Sequence, residues 1–419
     1  MNLILGLLTV LVVFLGLVNL FRLSFFMLGS DIYGLISHLR RRNRHNYQPK
    51  VSVVIPAYNE EKSILDSVRS VLRSDYPRNK LEVIVVNDGS TDNTVAILTE
   101  FLSHHPGRNV RLITQANSGK ADALNNGLRN WATGELAMCL DADSELQQDA
   151  VSRAAAYFQD GNVMALASNV KIKRRPGILN LIQAYEYTLC YQMKRAQTVF
   201  NIEYIIGGIG SMFRRSYLRQ IEFYDTNTVT EDIDITMKIL HTGNRKHRVI
   251  YGADVVAYTQ HALTMHDVVK QRYRWKWGRY QTFLKNKDMF FSTDSKYTKG
   301  LTWFYLPFAL FSDVAFFFEP IMTAFIWAII VYYGDFSSFL TMLAVTSFYL
   351  GISILAEDTY SPREKAKLLA VVPVMYFLFY ILSMVEYVVL VRSWFNLHDL
   401  KRSLHSNKNS WQPITRPGL

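Results

Sequence analysis

The stretch LILGLLTVLVVFLGLVNL, residues 3 to 20, constrains this chain more than any other, because it carries no charged side chain. About 20 apolar residues suffice to cross the hydrocarbon core of a bilayer. Further apolar runs fill most of 301 to 333, 336 to 356 and 368 to 391. The region between, from about 40 to 300, has the mixed polarity of an aqueous domain. The chain therefore reads as a membrane protein in four parts. An N-terminal anchor covers 1–30 and an aqueous domain 45–285. An interface and C-terminal membrane-helix region covers 286–400, and a tail 401–419. The tail holds Pro413 and Pro417 and is expected to be poorly ordered.

Only Met1 and Asn2 precede the first apolar run, without positive charge, and no small-x-small cleavage site follows. A retained anchor is expected rather than a cleaved leader. The run HLRRRNRH, with Arg40, Arg41, Arg42 and Arg44, comes next. Basic flanks face the cytoplasm, which predicts a cytoplasmic aqueous domain in a multi-pass protein of the inner or plasma membrane. Such residues, facing an anionic leaflet, also account for part of the net charge of +11. No nucleic-acid motif accompanies that charge, so a nucleic-acid partner is not expected. Cys139 and Cys190 are the two cysteines, too few for a disulfide framework or a cysteine metal site.

Within the aqueous domain, VSVVIPAYN (51–59) is an apolar, β-branched run ending in a turn, and EKSILDSVRSVLRS follows at helical spacing. LEVIVVNDGS (81–90), TDNTVAILTEFL, VRLITQA, a helix starting near Gly119, and ELAMCLDADS continue the alternation. Thr91 or Asp92 is available to cap the second helix. Strands that are apolar throughout and alternate with helices predict an α/β fold with a mostly parallel sheet covered on both faces. Ligands of such folds bind beyond the C-terminal ends of the strands. The polar clusters Asn59–Glu60, Asp88 and Asp141–Asp143 fall there.

Asp141 and Asp143 stand two apart, on one face if the chain stays extended. Two close carboxylates repel unless a cation or proton lies between them. One or two carboxylates plus phosphate oxygens is a common shell for a hard divalent cation. An acidic turn is the alternative. Asp88 precedes a glycine turn and either accepts hydrogen bonds from a base or ribose or serves the turn itself. Lys120 opens a helix, at the end the dipole reserves for anions; it either joins the helix amides in attracting an anionic ligand or is an ordinary exposed lysine. Glu231, Asp232 and Asp234 cluster before a helix; they are either ordinary first-turn acids or include a general base, and spacing alone does not select which of the three. Gly207, Gly208 and Gly210 allow close backbone approach or mark turns. QRYRWKWGRY, residues 271–280, interleaves Arg272, Arg274, Lys276 and Arg279 with four aromatics. That pattern suits a nucleic-acid groove, a membrane interface or a clamp on a phosphorylated sugar.

In order, PAYNE, VNDGS, GKADALN, DAD, TED and QRYRW make the chain resemble the processive family-2 glycosyltransferases, the membrane synthases of cellulose, hyaluronan, chitin oligosaccharides and poly-N-acetylglucosamine. The resemblance spans roughly 51 to 285. It implies a nucleotide-sugar-binding GT-A-like domain. Ala57, Tyr58, Glu60 and Asp88 would hold the uridine, supported by Lys120. Asp141 and Asp143 would bind the diphosphate and its Mg²⁺ or Mn²⁺, Asp143 most directly. Asp232 would be the general base beside Glu231. Gln271, Arg274 and Trp275 match Gln-x-x-Arg-Trp and would meet diphosphate and acceptor, with Arg272 adjoining. Gly207, Gly208, Ser211 and Phe213 would line the acceptor path. The implied partners are a UDP-sugar, the growing polysaccharide, membrane lipid, and a small accessory membrane subunit or export partners. The sugar is expected to be N-acetylglucosamine first, glucose second and an alternating polymer third. Arg274-Trp275 continues as Lys-Trp-Gly-Arg, where poly-N-acetylglucosamine synthases often continue as Ala-Gln-Gly-Gly. The alternative activity is single addition of a sugar to a lipid phosphate carrier. Lys276, Trp277, Arg279 and Tyr280 are expected at the membrane interface, with Trp277 the one closest to sugar.

The run 301–333 contains Asp313, Glu319 and Pro320 and is long for one span but short for two. It is either an interfacial helix leading into a span or one kinked span. With four spans, the loop EDTYSPREKAK (357–367) is expected on the side of the catalytic domain, while the basic Lys401 and Arg402 leave the C-terminus undecided.

Overall fold

A computed structural model describes residues 2–41 and 47–405. Arg42, Arg44 and the tail with Pro413 and Pro417 lie outside the described residues. In chain order the elements are α1 (Asn2–Arg41), β1 (Val51–Ala57), α2 (Ile64–Leu72), β2 (Leu81–Asp88), α3 (Thr94–Ser103), β3 (Val110–Gln115), α4 (Lys120–Asn126), β4 (Leu136–Cys139) and β5 (Ser144–Leu146). Then come α5 (Ala150–Tyr157), β6 (Val163–Ile172), α6 (Ile178–Phe200), β7 (Ser211–Arg214), α7 (Arg215–Gln220), α8 (Glu231–Thr242), β8 (Arg248–Thr259) and α9 (Met265–Lys285). The apolar C-terminal helices are α10 (Leu306–Phe317), α11 (Glu319–Tyr333), α12 (Phe336–Leu355) and α13 (Pro362–Phe395), followed by α14 (Leu400–His405).

The eight strands form one mixed sheet in the order β3-β2-β1-β4-β7-β6-β8-β5. β1 pairs in parallel with both β2 and β4, and β2 with β3. β7 runs antiparallel between β4 and β6. Every residue of β1 and β2 is buried, which is why these strands read as unbroken apolar runs rather than alternating ones. One core cluster packs Val53, Ile55, Val68 and Leu98 on one face; a second packs Val54, Ile84, Leu124 and Phe213 on the other. The expected GT-A-like sheet is present, and β1, β2 and β4 end at Ala57, Asp88 and Cys139, just before the polar clusters.

The loops that follow β1 and β2 are tied into one rim. The Glu60 amide donates to the Thr94 hydroxyl at 2.9 Å, and the Glu61 amide to Asp92 at 3.1 Å. Asp92 also accepts the Thr94 amide at 3.0 Å, but the N-cap position of α3 is taken by Asn93 rather than by the expected Thr91 or Asp92.

Helix α1 runs past the expected anchor, because its second half has a protein partner. A Cβ on Gly29 would lie 2.5 Å from the Ala196 Cβ of α6, and Phe25 stacks on Phe200 at 4.4 Å. The N-terminal half instead exposes Leu7, Phe14 and Phe21. Among the described residues, four helical stretches, Gly6–Ser37, Gly300–Phe317, Phe336–Leu355 and Pro362–Phe395, are long and apolar enough to cross a membrane. The 301–333 run is broken at Phe318, because Pro320 has no N–H to give an interior turn and instead opens α11. The loop joining α12 to α13 docks on the catalytic sheet. Glu357 is fully buried, 2.9 Å from Lys171 Nζ, and accepts from Asn169 at 3.2 Å. That contact places the loop on the side of the catalytic domain.

Candidate active site

Asp88 shapes the site from below. Its carboxylate accepts the Ser118 amide at 2.9 Å, the Gly119 amide at 2.8 Å and the Gln115 side chain at 2.8 Å. These bonds fix the residues that open α4, so Lys120 emerges at a set place and angle. The expectation of a uridine-binding Asp88 therefore meets a carboxylate already held by its own loop.

Lys120 is the hub. Its Nζ lies 2.7 Å from Asp141 Oδ1, just past β4, and 2.7 Å from Glu231 Oε1, at the start of α8. Burial pulls the ammonium toward its neutral form, but Asp141 and Glu231 outweigh it, so the lysine stays charged with a raised pKa. Gly208 closes over this triad: a Cβ there would sit 3.0 Å from Lys120 Nζ and 3.6 Å from each carboxylate oxygen. A side chain at 208 would crowd the Lys120 ammonium and require it to shift by a few tenths of an ångström. Gly207 has φ +75° and a Cβ there would meet nothing within 4 Å. The glycine loop is tied down by Thr236, whose hydroxyl accepts the Ile206 amide at 3.1 Å and donates to the Asp232 carbonyl at 2.6 Å.

Asp232 stands beside the hub with no ion pair of its own among the described residues; its Oδ1 accepts the Ile233 amide at 2.9 Å. Burial chiefly, then the Glu231 charge, pushes its carboxyl up to about 6, while Lys120, the Ile233 amide and Arg274 pull the other way. A carboxylate tuned near neutrality is suited to accept a proton. Glu231 is already bound to Lys120, so geometry separates two residues that spacing could not. Arg274 is close enough to act on Asp232 electrostatically, which brings the Gln-x-x-Arg-Trp helix to the same centre.

Tyr58 and Glu60 lie partly buried on the β1–α2 rim, Ala57 is buried at the strand end, and Glu60 accepts the Ser63 hydroxyl at 2.6 Å. Asp143 is buried, accepting the Ser144 hydroxyl at 3.1 Å. Asp141, Asp143, Glu231 and Asp232 outnumber Lys120 and Arg274, so a diphosphate would add negative charge to negative charge. Among the described residues no group of three or more His, Cys, Asp or Glu side chains is arranged around a metal. Asp141 and Asp143 are the hard carboxylates that would suit Mg²⁺ or Mn²⁺, with phosphate oxygens completing the shell.

Several expectations need correction. Ser211 and Phe213 are each 1% exposed in β7, paired with Cys139 and Ala137, and Phe213 packs edge-on against Tyr224. Strand burial removes both from any open path, leaving Gly207 and Gly208. Arg272 is buried, bonded to Glu186, 3.7 Å from Glu386, and stacked over Trp275 at 4.5 Å. Its charge is committed to carboxylates of α6 and α13, so it supports Trp275 rather than meeting a diphosphate. Lys276, Arg279 and Tyr280 all bind Asp313 of α10, with Lys276 at 3.1 Å and the Tyr280 hydroxyl at 2.9 Å. A buried carboxylate recruits them, not lipid headgroups. Trp277 is buried and stacks on Tyr273, which commits it to packing within its own helix rather than to an interface or a sugar contact.

The same helix carries contacts that the sequence reading missed. A Cβ on Gly278 would fall 2.1 Å from the Thr230 hydroxyl. Gln281, fully buried, accepts the Val229 amide at 3.0 Å. Both hold the residues that immediately precede Glu231 and Asp232. A lone glycine in a polar helix was the available signal.

Residues 52–222 match glycosyl transferase family 2. A poly-beta-1,6-N-acetyl-D-glucosamine synthase of Staphylococcus epidermidis is 31% identical over 309 residues, 72% of this chain and 72% of the relative. One from Staphylococcus aureus (strain COL) is 34% identical over 245 residues, 58% of this chain and 57% of the relative. In three dimensions the chain is similar to the mannosyltransferase PcManGT from Pyrobaculum calidifontis, solved with GDP-Man and Mn²⁺. The TM-score is 0.55 at 21% identity, covering 90% of this chain and 96% of that one. This last likeness is one of fold. The chain is a glycosyltransferase and belongs to glycosyl transferase family 2.

Proposed function

We propose that this protein is an inverting, processive transferase that polymerises β-linked N-acetylglucosamine from UDP-N-acetylglucosamine and passes the product across the membrane. The observation that carries the reading is the bridge from Lys120 to Asp141 and Glu231, under Gly208 and beside Asp232. It joins the motif expected to hold diphosphate to the motif expected to supply the base. The choice of sugar is supported by the names of the relatives.

The acceptor hydroxyl approaches over the glycine loop, on the side of Asp232. Asp232 takes its proton as the hydroxyl attacks the anomeric carbon opposite the leaving UDP, which inverts an α-linked donor to a β-linkage. Lys120 keeps Asp141 and Glu231 apart from Asp232 and holds its charge close to the diphosphate. Arg274 faces the same centre and stabilises charge as it develops on the departing UDP, an interaction that strengthens toward the transition state. Trp275, braced by Arg272, offers a flat apolar face to the acceptor ring. Asp143 and Asp141 would hold Mg²⁺ or Mn²⁺, which neutralises the leaving diphosphate. The four apolar helices support a setting at the membrane, and the basic flank after the first span supports a catalytic domain on the cytoplasmic side. A long polymer in such a site needs an exit, and the adjoining helices α10 and α13 are the ones the Gln-x-x-Arg-Trp helix grips.

The test is to offer the purified full chain, in detergent with Mg²⁺ or Mn²⁺, labelled UDP-N-acetylglucosamine and UDP-glucose. The expected result is a long polymer from UDP-N-acetylglucosamine while most donor remains. One sugar on a lipid phosphate would instead support single addition, and polymer from UDP-glucose alone would overturn the assigned sugar.

A further inference from the structure

A cavity of about 400 Å³ lies where β6 ends and α6 begins. Its walls are of two kinds. Arg174 and Arg175 supply the polar side, and Ile178, Leu181, Ala184 and Leu368 supply the apolar one. Leu368 belongs to Pro362–Phe395, one of the four helical stretches able to cross a membrane. The cavity therefore opens where the catalytic sheet meets a helix entering the bilayer, the depth at which headgroups reside.

Lys171 pairs with the buried Glu357, and Lys173 with Glu145 at 2.8 Å. Arg174 is exposed, leaning over Tyr360 at 5.3 Å, and Arg175 is half-buried. None of the residues lining the cavity is acidic. The first carboxylate of α13, Glu364, is held in a capping box, accepting the Ser361 amide and hydroxyl at 2.8 Å each. The apolar wall continues outward: Ile178 is 63% exposed. Asn180 contacts His261 at 3.0 Å, which brings the exposed Leu263 and Met265 to the same edge.

A soluble anion would use the arginines and leave the apolar wall wet. A zwitterionic lipid would use the wall and gain little from two cations. An anionic phospholipid satisfies both, with its phosphate at Arg174 and Arg175 and its acyl chain along Ile178, Leu181 and Leu368. Basic pockets beside membrane helices recognise anionic headgroups in this way, and the volume falls within the range of built ligand sites. We propose that this cavity is a binding site for one anionic phospholipid, seated between the catalytic domain and α13. The proposal rests on the reading of α13 as a membrane span, and it is independent of which sugar is transferred.

The test uses the full chain purified in detergent, with bound lipid counted by native mass spectrometry. Phosphatidylglycerol, phosphatidylcholine and inorganic phosphate are the probes. Wild type should retain one phosphatidylglycerol, with affinity about 30-fold above that of an Arg174→Gln/Arg175→Gln double variant, the value expected for two interfacial cations. Arg174→Lys/Arg175→Lys should retain the lipid. Unchanged glycosyl transfer in detergent shows that each variant is folded. Equal retention by wild type and the Gln variant overturns the proposal, as does retention of phosphatidylcholine as strong as that of phosphatidylglycerol. Displacement of the lipid by millimolar inorganic phosphate would identify a plain anion site and also overturn it. Extraction of the chain without detergent would sink the membrane reading itself, separately from the lipid count.

Discussion

Gly278 of α9 lies against Thr230, the residue before Glu231 and Asp232, so closely that a Cβ would stand 2.1 Å from its hydroxyl oxygen and 2.8 Å from its Cβ. Helix α9 therefore sets the position of the base as well as presenting Arg274 and Trp275.

Gly278→Ala forces Thr230 to move and Asp232 with it. Overpacking of this kind costs about 1–3 kcal/mol, and a misplacement of about 1 Å at a reacting group can cost about 10²-fold in rate. The expected outcome is a fall in kcat of that order with UDP affinity unchanged, partly restored by Thr230→Ala in the double variant. A wild-type kcat in Gly278→Ala would show that the contact does not position the base.

The pH–rate profile should carry an acid limb with an apparent pKa near 6, since Asp232 must be ionised to accept a proton. Glu231 raises that value, and Lys120 and Arg274 lower it. Glu231→Gln should therefore move the limb to lower pH and Lys120→Gln to higher pH. Shifts in the same direction would contradict the arrangement, whatever the loss in rate.

Asp232 also links pH to stability. Its folded carboxyl, at about 6, lies above the ordinary 3.8. The folded state thus holds the proton longer, and this contribution, fully present below about pH 4, is lost as pH rises through 6. Asp232→Asn escapes that loss. It should melt at a higher temperature than wild type at pH 7.5, with the gap closing toward pH 4, as read by thermal unfolding in detergent.

Asp313 gathers Lys276, Arg279 and Tyr280. Asp313→Ala leaves Arg279 without its carboxylate, while Lys276 keeps Glu386 at 3.4 Å; breaking such a buried pair typically costs about 3–5 kcal/mol. A large drop in thermal midpoint is expected, with Asp313→Glu retaining most of the stability. Equal midpoints for the Ala and Glu variants would mean the cations find other partners.

The strands β1, β2 and β4 were legible because complete burial writes itself as consecutive Val, Ile and Leu. Their polar ends were legible because such folds bind ligands there. The hub was half legible: Lys120, Asp141 and Glu231 each stood out, but their meeting depends on a sheet order that places antiparallel β7 beside β4. The misreadings came from side-chain direction. Phe213 lies in a motif that borders the site, yet β7 is buried on both faces, with Met212 in one core and Phe213 in the other. Lys276 and Arg279 looked like interface anchors because the carboxylate they serve, Asp313, is over 30 residues away in sequence. Helix α1 outran its apolar segment because Gly29 lets it settle on α6, a contact that hydropathy does not register.

The most direct measurement is the paired determination of turnover and UDP affinity for Asp232→Asn. If Asp232 accepts the proton while the nucleotide is held elsewhere, polymer formation falls by at least about 10²-fold and the UDP dissociation constant stays at the wild-type value. Turnover near wild type, or loss of UDP binding together with turnover, would contradict the assignment of Asp232 as the base of this centre.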